Sequence, residues 1–140
     1  MKLVFGYDGS ISAKNALGLV QKHASEINAK VYVVTSLASG QARKQTIIDV
    51  IGIEIDSVKE AEARLESVQR TLAKAGLGCE THLLIRGLSP GEDIVRFAQD
   101  VDADFIIVGT GNTASLGPQF LGSTAQYVIA EASCAVITVR

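Results

Sequence analysis

Two short runs, Val31-Tyr32-Val33-Val34 and Phe105-Ile106-Ile107-Val108, are apolar at every position and not at every second one. A strand with one wet face alternates, whereas a strand covered on both faces does not. These runs therefore belong in a sheet sandwiched between helices, the usual setting of parallel strands. Leu3-Val4-Phe5, Cys79 to Ile85 and Ala135-Val136-Ile137-Thr138-Val139 read as the other strands.

Helical periodicity fills the gaps. Behind Ser10, a capping residue, Ala13, Ala16, Leu17, Val20, Ala24 and Ile27 recur at steps of three and four or close to them, which predicts a helix from Ile11 to Ile27 stopped by Asn28. Ser57-Val58-Lys59-Glu60 has the form of a capping box, and Val58, Ala61, Leu65, Val68 and Leu72 continue from it until Gly76 offers a left-handed stop. Between Thr35 and Ile55 the signals are mixed. Ser39-Gly40 and Arg43-Lys44 read as loop, while Ile47, Ile48, Ile51 and Ile55 fit a helix interrupted at Gly52. Ser89-Pro90-Gly91-Glu92 starts a third helix, with Ile94, Phe97, Ala98 and Val101 on its buried face, and Ser123 to Ser133 makes a fourth.

The order β-α-β-α-β-α-β-α-β with right-handed crossovers gives an α/β fold: a parallel five-stranded sheet with helices on both faces, a three-layer sandwich built as one domain over residues 1–140. Hydrophobic residues make up 47% of the chain, enough for such a core. A net charge of −2, the absence of Trp and the lack of a Lys/Arg block exclude a basic nucleic-acid groove. Cys79 and Cys134 are far apart and read as small buried hydrophobes of a reduced protein. No apolar stretch suits a secretory signal or a membrane span, so a cytoplasmic location is expected. His23 and His82 are isolated and read as surface or packing residues, and Tyr127 as packing.

The segment after Phe105–Val108 carries the chemistry. Gly109, Gly111, Gly117 and Gly122 fall within fourteen residues, and Ser123-Thr124 then opens a helix. Glycines let backbone N–H groups approach an anion, and the first turn of a helix leaves donors unpaired at its positive dipole end. No charged residue occurs between Phe105 and Ala130, so an anion here is held by amides and hydroxyls. Ser123-Thr124-Ala125-Gln126 also fits a capping box, in which case the Ser123 hydroxyl serves its own helix. Tyr7-Asp8-Gly9-Ser10 ends strand one at the same edge if strands one and four are neighbours. Asp8 can then meet a ribose hydroxyl or a metal beside phosphates, or simply make the turn; Tyr7 reads first as a packing residue. Gly109 to Ala114 mimics a dinucleotide fingerprint, but Gly117-Pro118 intervenes before the helix, and no GK[ST] exists for a P-loop. A receiver domain lacks its phosphate-accepting Asp and late Lys.

The loop and its surroundings resemble the universal stress protein family. That family carries G-x2-G-x9-G-[ST] between strand four and helix four; here Gly109, Asn112, Gly122 and Ser123 fall in register, with Asn112 replacing the second glycine. Asp8-Gly9-Ser10, Ala16-Leu17, Pro90-Gly91-Glu92-Asp93-Ile94, Ala103 to Gly109 and Ala132 to Val139 support the likeness. The resemblance implies strand order 3-2-1-4-5, an adenine-nucleotide site for ATP or AMP with Mg2+ screening the phosphates, and a homodimer in which the last strands, residues 135–139, pair antiparallel. By position, Tyr7 and Asp8 would face the ribose or adenine, Ser36 and Val108 the base, and Gly109, Gly111, Asn112, Gly122, Ser123 and Thr124 the phosphates. Asn tolerates a left-handed backbone better than other residues with a side chain, and Gly111 can take over the close approach. Ser115 is a further departure, and the Arg common inside this loop is absent. The function implied is a stress-associated nucleotide-binding signalling protein, at most a slow ATPase, since no base is placed to activate water. Arg43 or Lys44 is expected to fold over the phosphates. The alternative is a nucleotide-free dimeric interaction module of the same fold, with contacts from the last strand and Ile47 to Ile55; an enzyme of the wider adenine-nucleotide hydrolase-like group would need a second substrate pocket.

Overall fold

Strand β1 (Lys2–Gly6) runs up the centre of the sheet, flanked on one side by β2 (Lys30–Ser36) and on the other by β4 (Phe105–Gly109). The computed structural model describes residues 1–37, 47–85, 89–111 and 120–140, with the side chains of 47–56 outside that description. Strands β3 (Cys79–Leu84) and β5 (Ala135–Val139) take the two edges, giving the all-parallel order β3-β2-β1-β4-β5. This is the expected α/β architecture and strand order.

Strand alternation divides the core between the two faces of the sheet. Leu3, Phe5, Val31, Val33, Phe105 and Ile107 point to one face, where helix α1 (Ile11–His23) adds Ala13, Ala16 and Val20 and helix α2 (Ile47–Lys74) adds Leu65, Val68 and Leu72. Val4, Tyr32, Val34, Ile106 and Val108 point to the other, against Ile94, Phe97 and Ala98 of helix α3 (Pro90–Asp100) and Ala125 and Val128 of helix α4 (Ser123–Glu131). Each large aliphatic or aromatic side chain buried this way contributes about 1.5–3 kcal/mol. The unbroken apolar runs are thus explained, because neither face of the central strands meets water. His82 packs against Phe97, with ring centroids 4.8 Å apart, and His23 pairs at the surface with Glu26.

Several boundaries differ from the sequence expectation. Helix α2 is continuous from Ile47, so Ser57 lies mid-helix and its capping box does not start anything. Gly52 does not interrupt it; one interior glycine costs only about 1 kcal/mol relative to alanine. Helix α1 ends four residues early: Ile27 is 39% exposed in the following turn, and Asn28 takes φ 50° as the chain reverses into β2. The two cysteines are half-buried, not fully enclosed. Among the described residues no helix is long and apolar enough to cross a membrane.

Candidate functional site

Strand order reverses between β1 and β4, and the loops beyond their carboxyl ends must part there. The crevice that results is a cleft of about 280 Å³. Gly6, Tyr7 and Asp8 form its floor, Val34, Thr35, Ser36, Pro90 and Ile94 one wall, and Val108, Gly109, Gly111 and the start of α4 the other. Arg64 of α2 completes the rim. The structure thus brings Tyr7, Asp8, Ser36, Val108, Gly109, Gly111, Gly122, Ser123 and Thr124 together. Asn112, Ser115, Arg43 and Lys44 lie outside the described residues, as do the side chains of Ile47 to Ile55.

The floor is held rigidly. Tyr7 N–H donates to the Val34 carbonyl at 2.9 Å, and the buried Thr35 hydroxyl donates to the Tyr7 carbonyl at 2.7 Å. The Tyr7 ring is buried edge-on against Phe5, and its phenol is pushed up from the usual tyrosine range, chiefly by burial and then by the Asp8 charge. Packing is therefore its visible role. Asp8 makes the turn: its Oδ1 accepts from Ser10 N–H at 2.9 Å, while the exposed carboxylate also borders the cleft.

Contacts within the protein organise the glycine wall. A Cβ on Gly109 would run into Ser12 Oγ and come within 2.7 Å of Ala13 N, so this glycine exists to let α1 lie against β4. Gly111, at φ 93°, does not offer its amide to a ligand, because that N–H donates to Ser12 Oγ at 3.1 Å. The Gly122 amide is also engaged, donating to the Thr110 carbonyl at 2.6 Å. Gly111 lines the cleft while its amide is held by Ser12.

Among the described residues, the start of α4 offers the remaining backbone donors. Its N-cap is Gly122, with no side-chain cap hydrogen bond, and its first turn holds no acid. Ser123 is the first helical residue and caps nothing; Gln126 Nε2 donates to the Leu121 carbonyl at 2.7 Å, so the expected capping box is absent. The N–H groups of Ser123, Thr124 and Ala125 have no carbonyl one turn earlier to receive them. Helices α1 and α3 differ, since Ser10 accepts from Ala13 N–H and Ser89 from Glu92 N–H. The arrangement can receive an anion on three amides and two hydroxyls at the positive end of a helix.

Arg64 of the cleft lining and Asp93, buried behind Ser36, escaped the sequence reading. Asp93 is wholly buried, and its Oδ2 accepts from Ser36 Oγ at 2.6 Å while Oδ1 has no partner among the described residues. In sequence it passes for an ordinary acid in a helix first turn. Arg64 donates from Nη1 to the Asp8 carbonyl at 3.0 Å, and its Cδ approaches Gly9. The available signal was spacing: Arg64 follows Ala61 by three and precedes Val68 by four, which puts a charge on the inward stripe of α2.

Fold and cleft together define a doubly wound α/β domain whose topological switch point holds an uncapped helix start. The universal stress protein family model matches residues 1–140, and the chain belongs to that family. A universal stress protein of Thermus aquaticus, from the QAH/OAS sulfhydrylase 3′ region, is 33% identical over 141 residues, spanning 99% of this chain and 97% of the relative. The structure of a universal stress protein from Archaeoglobus fulgidus superposes with a TM-score of 0.81 at 33% identity, covering 100% of this chain and 98% of that one. A second Archaeoglobus fulgidus structure, in complex with dAMP, has a TM-score of 0.71 at 33% identity with the same coverage.

Proposed function

We propose that this protein binds an adenine nucleotide, ATP or AMP, in the cleft at the β1/β4 switch point and acts as a stress-associated signalling module with little or no hydrolysis. The observation that carries this reading is the uncapped first turn of α4, where Ser123, Thr124 and Ala125 border the cleft. Unmet amides at a helix start suit a phosphate. Val34, Ile94 and Val108 line an apolar slot suited to a purine face, with Ser36 at its edge. Asp8 borders the same cleft and suits a ribose hydroxyl, and Mg2+ would accompany the triphosphate. The dAMP complex of the Archaeoglobus fulgidus relative supports an adenine nucleotide as the ligand class. For hydrolysis a base must be placed to activate water; Asp8, the acid bordering the cleft, has one oxygen committed to its own turn.

The homodimer belongs to the same reading. Strand β5 leaves one edge unpaired, and Ile137 and Ile129 are 40% and 49% exposed beside it. A two-fold axis beside a strand edge makes the two copies pair antiparallel.

Isothermal titration with ATP and Mg2+, and with AMP, tests the nucleotide site. Binding heat is expected, and its absence at millimolar nucleotide refutes the proposal. The engagement of the Gly111 and Gly122 amides favours the alternative, a nucleotide-free dimer of the same fold. Asn112→Gly separates the two: a binder changes affinity modestly, whereas a nucleotide-free module gains binding from none.

A further inference from the structure

We propose that Arg64 contributes positive charge to this site, its guanidinium directed at a phosphate group of the nucleotide; the inference rests on the nucleotide reading above. The glycine wall of the cleft offers amides and hydroxyls but no charge, because no Lys or Arg occurs between Phe105 and Ala130. Nucleotide phosphates are multiply charged, and neutral donors alone leave that charge uncompensated. Among the described residues that line the cleft, Arg64 is the cationic side chain.

Arg64 comes from the opposite flank. Helix α2 covers the β2 and β3 side of the sheet, whereas the glycine wall rises from β4, so the two bound the cleft across β1. The guanidinium is tethered there by Nη1 donating to the Asp8 carbonyl at 3.0 Å. That contact uses one of its five N–H donors, so the fork is positioned but not consumed. The Asp8 carboxylate meanwhile turns to Ser10 N–H. Among the described residues Arg64 forms no ion pair, although Glu60 stands four residues earlier, the spacing at which helical pairs form. A guanidinium tethered at the cleft rim, with no ion pair among the described residues and with the uncapped start of α4 lining the same cleft, is complementary to an anion. Phosphate suits it best, since two of its oxygens can accept parallel N–H bonds from the fork. Arg64 thus does from α2 what an arginine inside the glycine loop would otherwise do.

The test titrates wild type, Arg64→Gln and Arg64→Lys with AMP, ATP and adenosine. Arg64→Gln is expected to weaken AMP and ATP about tenfold or more, the loss typical of a hydrogen bond to a charged group. Adenosine affinity should stay unchanged, and Arg64→Lys should recover part of the phosphate preference. The readout is the ratio of AMP to adenosine affinity, which a general loosening of the fold does not move. An unchanged ratio overturns the inference while wild-type binding stands. An equal loss for adenosine also overturns it, reducing Arg64 to a prop for the Asp8 turn. If wild type binds no nucleotide, the parent reading and this one fall together.

Discussion

Gly109→Ala should unfold this protein more readily than any effect on a ligand would suggest. The added Cβ would strike Ser12 Oγ and lie 2.7 Å from Ala13 N and 2.8 Å from Ser12 C. Carbon atoms at rest sit about 3.5–4.0 Å apart, so α1 must retreat from β4 by the order of 1 Å. The obstacle is backbone at the start of a helix, anchored by the buried Ala13, Ala16 and Val20 and by the Ser12 bond to Gly111. Overpacking of this kind costs about 1–3 kcal/mol. Losing the Ser12–Gly111 bond adds about 1 kcal/mol. The stiffer unfolded chain returns about 0.4–1 kcal/mol. The net is about 1–3.5 kcal/mol, centred near 2, from a stability expected near 5–15 kcal/mol. For a chain of this length that lowers Tm by roughly 10 °C. Two companions calibrate it. Gly6→Ala meets only side-chain ends, Ile94 Cδ1 at 2.9 Å and Val108 Cγ1 at 3.0 Å, and should cost about 1 kcal/mol. Gly18→Ala meets nothing within 4 Å in an exposed helical position and should stabilise by about 0.5–1 kcal/mol. Urea titration followed by circular dichroism measures all three. A Gly109→Ala loss below about 0.5 kcal/mol, the scale of a neutral surface change, would refute the packing argument.

Ile137→Lys places a charge on the exposed edge of β5 and should convert the proposed dimer to monomer in sedimentation velocity with little change in melting; a wild-type monomer, or a variant that still dimerises, rules out that edge as the interface. Burial pushes both the Cys79 and the Cys134 thiols up from the ordinary range. A raised pKa means less thiolate at any given pH, so at about pH 8 both should react with a disulfide reagent more slowly in the native protein than in urea. Equal rates in the two states would show that neither thiol is shielded.

The element order and the identity of the core could be read from the chain because they depend on neighbours a few residues apart. Unalternating runs such as Val31 to Val34 mean burial on both faces, and α1 and α3 announce themselves through Ser10 and Ser89, each within three residues of the amide it caps. The cleft's position followed from that order, since a doubly wound sheet has its crevice where strand order reverses. Which groups in it are free was decided by contacts between residues far apart in the chain. The Gly111 amide is taken by Ser12, 99 residues away; Ser36 is tied to Asp93, 57 away; Arg64 is fixed by the Asp8 carbonyl, 56 away. Local pattern also misled where two outcomes share one signature. Ser57-x-x-Glu60 and Ser123-x-x-Gln126 both look like helix starts, yet α2 runs through the first, and at the second Gly122 is the cap. Capping propensity measures what a side chain can do for a helix end, while tertiary packing chooses where that end falls. Here it left the α4 end open to the cleft.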